Sequence, residues 1–252
     1  MNLVDFSVNQ VFYFFLIFCR IGSAITFMPA VGELFISARI KLLFALATTV
    51  ILLPVIPISL DMPESAFELV LIIFSEITIG ILIGFTSRMI LAAIHTLGFV
   101  ISYQTGLSAA MMLDPGQSSQ GSLIGNMLGM MATVIILSAD LHHDVLKAFI
   151  QSYQFIKINH YAEHYGDFTE LFVKNMTIVW NLGIKMSIPF LTIGILMNIG
   201  GAILSRLMPQ LHIFFLFLPL QILLGFFVLG ITLSSLLLWF ALRYKEIILN
   251  LF

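Results

Sequence analysis

Long apolar runs separated by short polar breaks dominate the chain. Seven stretches are nearly free of charge, and each is near or above the ~20 residues that a tilted helix needs to cross a bilayer. They are Val11–Val31, Ile40–Ile58, Phe67–Phe85, Met89–Leu113, Leu123–Ala139, Met176–Leu204 and Leu211–Leu242. The pattern predicts an all-α membrane protein, a bundle of hydrophobic helices and helical hairpins, with every stretch a span.

The break between the fourth and fifth stretches differs from the others. It reads Asp114-Pro115-Gly116-Gln117-Ser118-Ser119-Gln120-Gly121-Ser122, and we name it the gate segment. Asp114 is the only Asp, Glu, Lys or Arg between Arg88 and Asp140. Irregular backbone at membrane depth is tolerated only where protein covers it or water lines it. The segment is therefore a candidate gate, plug or re-entrant loop. The alternative is an ordinary turn between two spans.

Methionines lie directly before the gate segment, at Met111 and Met112. Methionine is flexible and fills irregular gaps, so this pair could form a deformable seal around a pore. The alternative is ordinary helix packing.

Composition agrees with a membrane protein. The 252 residues are 60% hydrophobic and 10% charged, whereas soluble domains are roughly 45–50% apolar and about 25% charged. The formal net charge of −2 offers no basic patch for nucleic acid. The single cysteine, Cys19, excludes an intrachain disulfide. Met1–Gln10 has no Lys or Arg and so lacks the positive region of a secretory signal, which predicts that the first span is retained.

Arg20 lies within the first apolar stretch, Glu76 within the third and Lys185 within the sixth. An ionised side chain at the bilayer centre costs roughly 2.5–3.5 kcal/mol on insertion scales, so such residues usually face inward and are paired. We expect Glu76 to pair with Arg20, because Lys185 lies nearer a stretch end and can extend its amine towards water. The alternative to a structural pair is an ion relay.

One motif suggests metal chemistry. His160-Tyr161-Ala162-Glu163-His164 matches the H-x-x-E-H pattern of some zinc proteases. A third ligand would have to come from nearby residues, namely His142, His143, Asp144 or Asp167. The motif lies in a polar region, Asn159–Thr169, predicted as a loop after an amphipathic helix over Asp144–Ile158. We therefore predict no catalytic, cofactor or metal site and no enzyme, with a membrane metalloprotease as a rival hypothesis.

Short motifs in a fixed order along the chain resemble one family. They are Arg20-Ile21-Gly22 with Met28-Pro29, Gly32 and Arg39; Gln104-x-Gly106-Leu107 with Asp114-Pro115, Gln117 and Gln120; Asp140-x-His142; Pro189 and Asn198; and Arg206-x-x-Pro209-Gln210-Leu211 with Pro219 and Gly225. On these residues the chain resembles the FliR family of flagellar type III export-gate proteins, which is related to the SctT-type proteins of injectisomes. It departs from the family pattern at Leu141, His212 and Phe217.

The resemblance implies a pore-forming subunit, without a cofactor, in a larger helical assembly with FliP-like and FliQ-like subunits. FlhB and FlhA would be further partners, and unfolded flagellar proteins would pass through the pore. The location would be the bacterial inner membrane at the flagellar basal body. Residues 1–175 would be FliP-like and residues 176–252 a FliQ-like helical hairpin.

In the family that the chain resembles, a loop plugs the closed pore. That loop corresponds here to the region around Asp114–Ser122. The resemblance also implies that many helices lie outside the hydrocarbon, which would make seven spans too many. Two other hypotheses remain open. One is an injectisome export gate. The other is a small-molecule secondary transporter, which should show broken helices in two symmetry-related halves.

Overall fold

The computed structural model describes residues 3–33, 36–56, 63, 65–108, 122–156, 165–208 and 213–251. The helices in these ranges are α1 (Leu3–Phe27), α2 (Ala38–Leu52), α3 (Ala66–Gln104), α4 (Leu123–Ser138), α5 (Leu141–Phe155), α6 (Tyr165–Leu207) and α7 (Ile213–Leu249). The predicted all-α membrane fold is confirmed.

The prediction of seven membrane spans is wrong. Within the described ranges, the helices long and apolar enough to cross a membrane are Asn9–Phe27, Ala66–Gln104, Phe172–Leu207 and Phe217–Leu249. Helices α4 and α5 add a fifth candidate if they are taken as one broken span, bent by 70°. Helix α2, predicted as a span, has only 15 residues and packs against α1.

The third and fourth predicted stretches form one continuous helix, α3, of 39 residues. Two of the polar residues between these stretches, Thr86 and Ser87, have hydrogen-bond partners inside the protein. The Thr86 hydroxyl donates to Leu82 O at 2.8 Å, and the Ser87 and Tyr244 hydroxyls lie 2.5 Å apart. Because their polar groups have partners, these residues give the helix no reason to end.

The structure around α5 confirms part of what the sequence predicted. The predicted amphipathic helix is confirmed and buries Leu141, Val145, Ala148, Phe149 and Ser152, which recur at helical spacing. The expected loop over 159–169 is wrong at its end, because residues 165–169 belong to α6.

The chain divides into two compact units, and the long helices contribute to both. Unit 1 comprises residues 1–89, 136–177 and 243–252, and unit 2 comprises residues 90–135 and 178–242. Buried side chains of unit 1 include Leu16, Ile21, Ile83, Phe149 and Tyr244. Those of unit 2 include Ile90, Ile94, Leu128 and Ala132.

Glycines bring helix backbones close together within each unit. In unit 1, a Cβ at Gly80 or Gly84 of α3 would come closer than 3.0 Å to the α1 carbonyl of Arg20 or Ala24 respectively. In unit 2, a Cβ at Gly98 of α3 would overlap the backbone of Gly125 in α4. Small residues let membrane helices approach in this way.

Candidate functional site

Helix α3 ends at Gln104, ten residues before the first residue of the gate segment, Asp114. The Thr105 N–H donates to Ile101 O at 2.9 Å, and its hydroxyl donates to Ser102 O at 3.3 Å. Gly106 follows with φ +72°, a left-handed conformation that favours glycine and commonly terminates a helix. The site where the chain leaves α3 is therefore fixed by Thr105 and Gly106.

Ser122 holds the other end of the gate segment. Its hydroxyl oxygen accepts from the Gly125 N–H at 2.9 Å, and its carbonyl accepts from the Asn126 N–H at 2.8 Å. These bonds make Ser122 the N-cap of α4.

The Ser122 side chain also attaches this end to α3. Its hydroxyl donates to Gly98 O at 2.9 Å and lies 2.6 Å from the Ser102 hydroxyl. Because Ser122 has one hydroxyl hydrogen, already given to Gly98, Ser102 is the donor in the second bond. The chain therefore returns to the helix that it left. The predicted residues Asp114–Gly121, with Met111 and Met112, lie outside the described part of the chain.

The last turn of α3 contacts α6 and α7 within unit 2. Gly194 of α6 faces the Gln104 side chain, and Gly225 of α7 faces the Thr105 methyl group. A cavity of about 20 Å³ lies between Gln104, Thr105, Gly194 and Gly225, with Gln221 also in its lining. The sequence marked Gly225 and Gln104 as motif residues, but gave no sign that their helices meet here.

Unit 1 contains the predicted ion pair. Arg20 Nε lies 2.7 Å from Glu76 Oε2 and Arg20 Nη2 lies 2.8 Å from Glu76 Oε1, and both side chains are 0% exposed. The guanidinium also donates to Ser152 Oγ at 3.1 Å and to Ile156 O at 3.4 Å. It lies 3.8 Å from the centroid of the Tyr153 ring. The pairing of Arg20 with Glu76 is confirmed.

This pair connects three helices of unit 1, because Arg20 is on α1, Glu76 on α3 and Ser152 on α5. Every nitrogen of the buried guanidinium has an acceptor within the protein. A buried charge that is fully paired in this way favours a structural role over a relay. Lys185, the third predicted charge, is exposed on α6.

The metal motif cannot be placed, because His160 and His164 lie outside the described ranges. Of the possible third ligands, His142 and His143 lie with Asp140 at the start of α5, with ligand atoms within 4.8 Å of one another. Asp140 and His143 are mostly exposed. Asp144 instead pairs with Lys147 at 2.7 Å. Because two of these three side chains are mostly exposed, we assign no metal to this group.

Comparison with known proteins shows the family to which the chain belongs. The sequence model for bacterial export proteins, family 1, matches residues 11–247. The chain belongs to this family. A bacterial export relative, the flagellar biosynthetic protein FliR of Caulobacter vibrioides, is 30% identical over 240 residues, 95% of each chain. FliR of Bacillus subtilis is 30% identical over 225 residues, which cover 88% of this chain and 86% of its own.

An injectisome relative is also similar to this export protein. The Yop proteins translocation protein T of Yersinia pestis is 30% identical over 160 residues, covering 62% of this chain and 60% of its own. The resemblance drawn from the short motifs is thus confirmed. Because the matched family consists of export proteins, the comparison favours neither of the rival functions, a small-molecule transporter or a metalloprotease.

Several of the motif residues that carried the family resemblance make the contacts described above. Arg20 forms the buried ion pair, and Gln104 and Gly106 lie where α3 ends. Gly225 contacts Thr105 from α7. These motifs therefore coincide with packing and capping positions of the fold.

Proposed function

We propose that this chain is a pore-forming subunit of the flagellar type III protein export gate, through which unfolded flagellar proteins cross the bacterial inner membrane. The observation that carries the proposal is the family match over residues 11–247, together with a flagellar relative aligned over 95% of the chain. An injectisome gate is the second candidate, favoured by the Yersinia pestis relative, whose alignment covers 62% of the chain. The protein acts without catalytic residues or a cofactor.

The gate segment, Asp114–Ser122 with Met111 and Met112 before it, closes the pore in this proposal. Small polar side chains offer few apolar contacts, and segments with few such contacts open at a low free energy. The anchoring of Ser122 to Gly98 and Ser102 supports this role. It ties the end of the segment to a helix, so that opening need not disturb α4.

The subunit works in an assembly with FliP-like and FliQ-like proteins, with FlhB and FlhA as further partners at the flagellar basal body. Residues 1–175 correspond to the FliP-like region and residues 176–252 to the FliQ-like hairpin. Exposed apolar surface supports partners of this kind. In the most apolar segment of α6 only 17% of the segment is buried within this chain, and in that of α7 only 11%. Most of the surface of both helices must therefore be covered by lipid or by other helices.

The function is tested in the native host by deleting the gene and restoring it from a plasmid. We expect the deletion to abolish secretion of flagellar subunits and motility, and the plasmid to restore both. The protein should also purify as one stable complex when co-expressed with its FliP-like and FliQ-like counterparts. Loss of virulence-protein secretion with normal motility would assign the chain to an injectisome. Normal secretion of both kinds would refute the export-gate function.

A further inference from the structure

Lys185 is a basic residue well inside the most apolar part of α6. This part, Phe172–Leu207, contains Lys174, Lys185 and Arg206 but no Asp or Glu. At ~1.5 Å per residue, Lys185 lies about 20 Å along the helix axis from Phe172 and about 33 Å from Leu207. Lys185 is therefore not near either end of the apolar segment, where an amine can extend into water.

No described residue neutralises the Lys185 amine. The side chain is exposed on α6, and the ion pairs among the described residues join other groups. Glu76, the acid in the apolar stretches, is already held by Arg20. A charged amine on an apolar helix face is costly at membrane depth unless an opposite charge pairs with it. The amine therefore requires an anion that the described residues do not supply.

Two further polar groups lie beside the amine on α6. Asn181 lies one turn before Lys185, and its side chain is exposed as well. Pro189 lies one turn after Lys185, inside the helix, and has no N–H to donate to the Lys185 carbonyl. Ile184 and Ile188 border these groups and are 43% and 51% exposed. An uncovered face with polar groups inside an apolar border is typical of a contact between membrane helices.

We propose that Lys185 and Asn181 bind a carboxylate carried by an apolar helix of another subunit. The docking surface consists of Asn181, Ile184, Lys185 and Ile188. Side chains four residues apart on a helix are neighbours, so the ammonium and the amide can donate to the two oxygens of one carboxylate. The isoleucines pack against the apolar part of the partner helix. The proposal rests on the proposed function in one respect, because it requires a complex of several membrane subunits.

The position of Lys185 favours a carboxylate over a lipid phosphate. Lipid phosphates lie in the headgroup layer, beyond a hydrocarbon core ~30 Å thick. Lys174 and Arg206, which lie near the ends of the apolar segment, are placed to meet phosphates at that level. Lys185 is more than a turn inside both ends, where the anions that a membrane assembly offers are the carboxylates of neighbouring helices.

The first measurement is the rate at which the purified, co-expressed complex dissociates. Lys185→Met removes the charge and keeps an unbranched apolar side chain, whereas Lys185→Arg keeps the charge. Asn181→Ala removes the second donor. Lys174→Met is the matched control, because Lys174 is an exposed lysine of the same helix that lies close to the start of the apolar segment.

The second measurement identifies the anion in the wild-type complex. A hydrophobic carbodiimide converts a carboxylate into an activated ester, and a neighbouring lysine amine displaces the urea from it. An amide bond forms, the amine loses its proton, and the carbodiimide takes up the elements of water. Mass spectrometry of the digested complex then shows which acidic residue is joined to Lys185.

We expect Lys185→Met to raise the dissociation rate about thirtyfold, the effect of truncating one partner of a buried charge pair. Asn181→Ala should raise it about fivefold through one lost hydrogen bond. Lys185→Arg should stay close to the wild type, and Lys174→Met should not differ from it. The amide should join Lys185 to an Asp or Glu of another subunit. That amide decides the question if Lys185→Met does not assemble.

Other outcomes would overturn the docking surface. They are an amide between Lys185 and an acid of this chain, such as Asp114, no amide at Lys185, or equal dissociation of Lys185→Met and the wild type. If removing anionic lipids makes the wild type dissociate as fast as Lys185→Met, the amine binds a lipid phosphate instead. If the gene proves unnecessary for secretion, the proposed function fails, and the amide still reports on the pairing.

Discussion

Replacing Arg20 by methionine should strongly destabilise unit 1. The substitution leaves the Glu76 carboxylate at 0% exposure, and among the described residues it has no other hydrogen-bond donor. Breaking a buried pair by removing one partner costs about 3–5 kcal/mol. We expect the upper part of that range, because Ile156 O loses a donor and the Tyr153 ring loses its cation as well.

The reverse substitution, Glu76→Leu, should cost less, about 3 kcal/mol. The remaining guanidinium cannot lose its proton, but it still donates to Ser152 Oγ and Ile156 O and still lies over Tyr153. Replacing both Arg20 and Glu76 removes both charges. We therefore expect the double variant to recover about 2–3 kcal/mol relative to the sum of the single effects.

The measurement is the free energy of unfolding of the purified complex in detergent, for the wild type, both single variants and the double variant. A matched control compares Glu76→Gln with Glu246→Gln. Glu246 also pairs with an arginine, Arg243, but the two side chains are 54% and 45% exposed. Breaking this exposed pair should cost at most ~1 kcal/mol. Additive single effects in the cycle, or equal costs at Glu76 and Glu246, would refute the reasoning.

Three further predictions concern the gate. Deleting Gly116–Gly121 while keeping Ser122 should leave the assembly intact and let ions leak across the membrane, and unchanged conductance and secretion would show an ordinary turn. Valine at Gly116 or Gly121 should abolish motility without a leak if glycine backbone angles are needed for opening, which swimming and conductance assays measure. Ser122→Ala should destabilise the complex by about 1 kcal/mol through the lost cap and should raise conductance, whereas the exposed Ser205→Ala should do neither.

Local sequence signals predicted the parts of the fold that depend on local physics. The spacing of Leu141, Val145 and Phe149 predicted α5, because an amphipathic helix buries one face wherever it packs. The pairing of Arg20 with Glu76 followed from the cost of leaving either charge alone in an apolar environment. Neither inference required knowledge of which helices are neighbours.

Other features depend on tertiary partners that the sequence does not reveal. Thr86 and Ser87 look like a break between two spans until Tyr244, far along the chain, satisfies Ser87. The contact of Gly225 with Thr105 is equally remote, and glycine spacing alone would not distinguish Gly225 from Gly230. The anchoring of Ser122 was missed because a serine in a polar run gives no sign that it bonds a helix preceding that run.

The continuity of α3 sets a limit on how the protein can meet the bilayer. With 39 residues and a rise of about 1.5 Å per residue, the helix is about 58 Å long. The hydrocarbon layer is only ~30 Å thick, and spanning helices tilt by at most about 40°. Enclosing all of α3 would need a tilt of about 60°. A large part of this apolar helix must therefore stand beyond the lipid tails, where only other protein can shield it from water.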